Sequence, residues 1–197
     1  MNRNIEIKAA CDDLGRVRAA AQEMSARLAS VEEQCDTYFR TARGRLKLRR
    51  RLLNSEGDSA GAGAGDEQFE LIWYQRPDTT AATGSDYYLI RVIDGAELRQ
   101  LLADGLGILA EVRKHRAVFL WENVRIHLDE VEGLGSFIEL EAIVDDSCGE
   151  ASARTKIDHL CEALDIQADQ LIDVSYSDLL LSAKSSSTSD SNLARSS

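Results

Sequence analysis

Residues 44–51 read GRLKLRRR, five cations in eight positions, in a chain whose formal net charge is −11. In an extended chain successive side chains point to opposite faces, so Arg45, Lys47 and Arg49 share one face while Leu46 and Leu48 share the other. Three neighbouring cations repel one another unless anions or carboxylates neutralise them. The same alternation recurs along the chain. NIEIK sets Asn4, Glu6 and Lys8 against Ile5 and Ile7, and RIHLD sets Arg125, His127 and Asp129 against Ile126 and Leu128. In FIELE, Glu139 and Glu141 oppose Ile138 and Leu140, and in VRKHR, Lys114 and Arg116 share the parity of Val112. Two arrangements account for charged faces repeated on many strands. Either they are solvated outer faces of a sheet, or the sheet closes and they line a lumen. A lumen of this kind suits a run of phosphates held by clustered cations, with clustered carboxylates for an accompanying divalent metal.

The elements that would position these residues are many strands and few helices. Period-two segments are NIEIK, CDTYFR, RLKLR, FELIWYQR, YYLIRVI, EVRKHRAVFLW, NVRIHLDEV and SFIELEAIV. Joined mostly by short connections, they favour an antiparallel sheet or barrel, and the helices between them make the class α+β. LGRVRAAAQEMSARL predicts a helix with Leu14, Val17, Ala21, Met24 and Leu28 on one face and Asp12 or Asp13 as N-cap. Asp94 followed by Glu97 starts a second helix that Gly105 can end. A third carries Ile157, Leu160, Cys161 and Leu164, and YSDLLL forms a short amphipathic closing element. Pro77 marks a strand end.

Residues 54–66, NSEGDSAGAGAGD, read as a flexible insertion between strands, and the serine-rich 182–197 as a disordered tail beyond a single domain over 1–181. With 23 Lys+Arg against 34 Asp+Glu, general attraction to nucleic acid or anionic lipid is excluded as the main activity. No stretch approaches the roughly 18 apolar residues of a membrane span, and the N-terminus has no signal-peptide core. Cys11, Cys35, Cys148 and Cys161 are scattered without a zinc-binding spacing, which fits reduced thiols in the cytoplasm.

On NIEIK, DTYFRTARGRLKLR, RIHLDEVEGLGSFIELE and SYSDLL, in that order, the chain resembles the CYTH family, the triphosphate tunnel metalloenzymes. These include class IV adenylate cyclases, thiamine-triphosphatases and inorganic triphosphatases. The resemblance runs from about Asn2 to Leu181. It implies a closed eight-stranded antiparallel β-barrel with a charged tunnel and helices outside. It assigns phosphate binding to Lys8, Arg45, Lys47, Arg49, Lys114, Arg116 and Arg125, with Arg91 at a further matching strand position. It assigns Mg²⁺ or Mn²⁺ to Glu6, Asp129, Glu139 and Glu141, and makes Lys114 and Lys8 the catalytic candidates. The family's first glutamate is replaced by Asn4, which removes one negative charge from the metal site. The implied function is metal-dependent hydrolysis of a small triphosphate, releasing orthophosphate. The alternatives are a class IV adenylate cyclase and a phosphate-chain binding protein without efficient catalysis. A monomer or homodimer, with no nucleic-acid or membrane partner, completes the expectation. Tyr176 is expected to pack at the barrel end, and His127 to be a structural hydrogen-bonding residue.

Overall fold

The structure, a computed structural model, describes residues 2–54, 66–75 and 82–193. Most of the glycine-rich insertion, Pro77 and the last four residues lie outside these segments. The period-two segments form β1 (Asn2–Ala10), β2 (Arg27–Phe39), β3 (Arg45–Asn54), β4 (Asp66–Gln75), β5 (Thr83–Val92), β6 (Ile108–Trp121), β7 (Val124–Val131) and β8 (Gly135–Val144). All pairings are antiparallel, and the sheet closes in the order β1-β5-β4-β3-β2-β6-β7-β8. Among the described residues four α-helices accompany it: α1 (Leu14–Glu23), α2 (Gly95–Leu106), α3 (Glu150–Ala163) and α4 (Tyr176–Leu193). None of the described helices is long and apolar enough to cross a membrane.

Closure decides between the two arrangements left open by strand parity. The Ile and Leu faces turn outward, where Ile5, Ile7, Phe119, Ile126, Leu128, Ile138 and Leu140 pack with Val17 and Ala21 of α1 and with Ile157 and Leu160 of α3. Burying each such side chain is worth roughly 1.5–3 kcal/mol, so this helix-covered arc is what holds the barrel shut. The charged faces are thereby forced inward. Cover is not uniform: on β5 the outward Tyr88 and Ile90 are exposed.

Local signals account for most element ends. The Asp13 carboxylate caps α1 by accepting from the Arg16 backbone N–H at 2.9 Å. The helix stops before Leu28, because Ser25 takes a left-handed φ of 66° and the chain turns into β2. Leu28 still packs on the same core, which is why it continued the helical spacing. At α2 the Asp94 side chain makes no capping bond, and the stop is Gly107, at φ 79°, rather than Gly105. Before β3, Gly44 has φ +66° and the Trp73 ring lies 2.7 Å from where a Cβ would stand. Only glycine permits that turn. α4 begins at the expected YSDLLL and runs on to Leu193, into the serine-rich segment.

Candidate functional site

The lumen holds a cavity of about 290 Å³, at the lower end of small-molecule pockets. Its basic wall comes from β3 and β6. Lys47 and Arg49 project from β3, and Lys114 and Arg116 from β6, with Lys8 of β1 and Arg125 of β7 at the flanks. Its acidic wall comes from β1 and β8, where Glu6 stands directly opposite Glu141, and Lys8 opposite Glu139. A third wall is uncharged and is formed mainly by Ile72 and Tyr74 of β4 and Ser85, Tyr87 and Leu89 of β5.

The buried cations are held by a second layer of carboxylates. Asp36 of β2, 2% exposed, accepts from Lys47 Nζ at 2.7 Å and from Arg49 Nε and Nη2 at 2.7 and 2.9 Å. Asp129 of β7 does the same for β6: Lys114 Nζ lies at 3.2 Å, and Arg116 Nε and Nη2 at 2.6 and 2.5 Å. Arg116 also reaches Glu139 at 2.5 Å. Lys8 is fixed by the Val174 carbonyl at 3.2 Å, by Glu139 at 3.3 Å and by the face of the Tyr176 ring.

These contacts set the charges. Burial pushes the Asp36 carboxyl up, but Arg49 and Lys47 outweigh it and hold the group well below the carboxylate range. Asp129 is likewise lowered, burial being overcome by Arg116 and Lys114. Glu139 is lowered against burial by Lys8 and Arg116, and Glu141 by His127 and Arg125. Burial, then Arg49, bring Lys47 down to about 8, with Asp36 opposing. Lys114 is lowered by burial and Arg116. The site therefore carries fixed carboxylates and two lysines whose ammonium form is weakened.

The structure brings Glu6, Lys8, Lys47, Arg49, Lys114, Arg116, Arg125, Glu139 and Glu141 to one cavity. Three of the expected residues stand elsewhere. Arg45 turns to Asp178 of α4 at 2.9 Å, and Arg91 is exposed, beside Glu70 in the β4–β5 register. Asp129 is fully buried behind the cavity, with the Tyr176 hydroxyl donating to its Oδ2 at 2.9 Å as a further partner. Tyr176 thus does more than pack. Among nearby aromatic side chains, Tyr74 lines the cavity, whereas Trp73 packs against Tyr88 and Trp121 against His159. Arg51 faces inward to Glu32 and Glu70, and Arg50 pairs with Glu67 outside. His127 is buried, with Nδ1 3.8 Å from Glu139 and, among the described residues, no hydrogen-bond partner for that nitrogen.

A divalent cation was tested against the donors present. No three His, Cys, Asp or Glu side chains among the described residues already converge on one point that could hold a metal ion. The facing Glu6–Glu141 pair, with Glu139 on the same face of β8, nevertheless offers the hard oxygen donors that Mg²⁺ and Mn²⁺ take. The donor set fits.

Comparison with known proteins follows the same lines. A family model described as the CYTH domain matches residues 2–176. A protein of Methanocaldococcus jannaschii named as a candidate adenylate cyclase is 25% identical over 178 residues, or 89% of this chain and 97% of that protein. The PH1012 protein of Pyrococcus horikoshii superposes with a TM-score of 0.72 at 20% identity, covering 91% of this chain and 99% of that one. A candidate adenylyl cyclase from Hippeastrum, described as having a dominant triphosphatase activity, superposes with a TM-score of 0.59 at 16% identity, covering 93% and 96%.

Proposed function

Since the chain belongs to the CYTH family, we propose that it is a divalent-metal-dependent triphosphatase that cleaves a small triphosphate within its barrel. The observation that carries this reading is the facing of two walls: Lys47, Arg49, Lys114 and Arg116 across the cavity from Glu6 and Glu141. Asp36 and Asp129 are two carboxylates against these four cations, and charge-assisted bonds from two arginines and two lysines suit a phosphate chain. The triphosphatase activity described for the Hippeastrum protein supports hydrolysis, and the name of the M. jannaschii relative keeps the cyclase open.

Arg49 and Arg116 would grip phosphate oxygens, and their carboxylate partners Asp36 and Asp129 hold them in position before substrate arrives. Glu6, Glu141 and Glu139 would hold Mg²⁺ or Mn²⁺, which when bound neutralises charge on the phosphoryl oxygens. Lys114, with its weakened ammonium form, is the group suited to take a proton from an attacking water. Lys8, pinned by Glu139 and Val174, is assigned to phosphate binding. Asp129 is assigned to positioning rather than to metal, because its oxygens are taken by Lys114, Arg116 and Tyr176.

The test is purified protein with Mg²⁺ or Mn²⁺, offered tripolyphosphate, ATP and thiamine triphosphate. Orthophosphate release is expected. Cyclic AMP with pyrophosphate would establish the cyclase instead, and binding without turnover would establish a binding protein. Glu141→Gln should lower metal-dependent turnover by roughly a hundredfold or more and weaken Mn²⁺ binding measured by calorimetry. Full activity in that variant overturns the metal assignment.

A further inference from the structure

The third wall of the cavity has no part in gripping phosphate. On it, Tyr74 and Tyr87 are directly opposite in the β4–β5 register, as are Ile72 and Leu89. Asn4 of β1 adjoins this wall, opposite Ser85 of β5, and is 3% exposed. The Tyr87 hydroxyl adjoins the side chains of Asn4 and Arg125, which act on it as donors. With its nitrogen toward that hydroxyl, the amide has its oxygen as the unused end. Asn4 Oδ1 is buried in a cavity-lining residue and has no hydrogen-bond partner among the described residues. Buried carbonyl oxygens are rarely left unpaired, so one that lines a ligand cavity is a statement about the ligand.

An amide oxygen only accepts. The phosphate oxygens of a triphosphate held among these cations are ionised, so they also only accept and would repel it. A donor N–H or O–H on a group attached to the phosphate chain would pair with it, and the same group would lie along Tyr74, Tyr87, Ile72 and Leu89. We infer that Asn4 is a specificity-determining residue that selects an organic triphosphate, one bearing an N–H or O–H donor next to a flat or apolar moiety, over inorganic tripolyphosphate. This rests on the triphosphate reading above and narrows it to a substrate class. A glutamate at this position would put negative charge beside the phosphates and accept in more directions. The neutral amide beside Tyr87 offers an acceptor oxygen without that charge.

The experiment is calorimetric titration in EDTA, which removes any contribution of a metal, with tripolyphosphate, ATP, GTP and thiamine triphosphate as probes. Wild-type protein should bind at least one organic triphosphate about tenfold or more tightly than tripolyphosphate. Asn4→Ala should erase that preference while holding tripolyphosphate affinity within about threefold, and Tyr87→Phe, which removes the hydroxyl beside the amide, should reduce it in part. A circular-dichroism melt of each variant separates loss of fold from loss of contact. Tripolyphosphate binding as tight as every organic probe would overturn this inference and leave the triphosphate reading standing. So would an equal loss for all probes in a folded Asn4→Ala. Failure of wild-type protein to bind any of the four, in EDTA and again with Mg²⁺ present, would overturn both.

Discussion

Strand parity puts Asp129 on the charged face of β7, and the fold gives it 0% exposure beside Lys114 and Arg116. What parity does not say is which charges meet across the barrel. Here a signal was present: β6 ends at Trp121 and β7 begins at Val124, so a two-residue connection pairs Arg116 with Asp129. Read that way, the aspartate belongs to the arginine before it belongs to a metal. Tyr176 is different. It comes from 47 residues further along the chain, so its bond to Asp129 left no trace in local pattern. Removing the charge from Asp129 strands two buried cations, and breaking a buried pair in this manner costs about 3–5 kcal/mol. Asp129→Asn is therefore expected to lower the unfolding free energy by that amount, read as a lower urea midpoint at an unchanged m-value. Tyr176→Phe, which removes one bond to a charged acceptor, should cost about 1.5–3 kcal/mol. An Asp129→Asn protein within about 1 kcal/mol of wild type would mean that these bonds do not hold the basic wall.

At the scale of elements, β1, β7 and β8 were fully legible because their outer faces are apolar and lie under helices. β2 was legible only in its second half. Its outward residues include Glu33, Cys35 and Thr37, which lie away from the core formed with α1 and α3, so no apolar alternation marks them. Its inward residues Glu32, Gln34 and Asp36 were therefore missed, although they share the parity of Tyr38. Glu32 ties β2 to β3: Arg51 donates to it at 2.9 and 2.5 Å, and Ser30 and Gln34 each donate at 2.6 Å. Burial raises the Glu32 carboxyl, but the bonds from Arg51, Ser30 and Gln34 prevail and bring it to about 2 from 4.5. A carboxylate lowered on folding adds stability that is complete above its unfolded value and is lost as pH falls toward the folded value. Glu32 should thus contribute about 3 kcal/mol at neutral pH, fading between pH 4.5 and about 2. Denaturant titrations of wild type and Glu32→Gln should differ most above pH 5 and converge toward about pH 2. A constant gap over that range would show that the carboxylate charge is not what joins the two strands.

For the molecule as a whole, a net charge of −11 encloses a basic wall. Barrel closure was implied by resemblance, not by periodicity, because the β1–β8 and β2–β6 seams join residues far apart in sequence. Closure is also what separates the two fields. Outside, a polyanion meets like charge and is repelled at long range. Inside, it meets buried cations within a few ångströms, where screening by salt is weak. At about 0.1 M salt the Debye length is roughly 10 Å, so added salt removes the outer repulsion before it weakens the inner attraction. The association rate of tripolyphosphate, followed by stopped flow in EDTA, should stay level or rise from about 20 to 200 mM KCl. A protein that drew its ligand by a basic surface would lose at least about tenfold over that range. A fall of that size here would place the capturing charge on the outer surface, and would mean that the lumen cations act only after the ligand has been steered in by another patch.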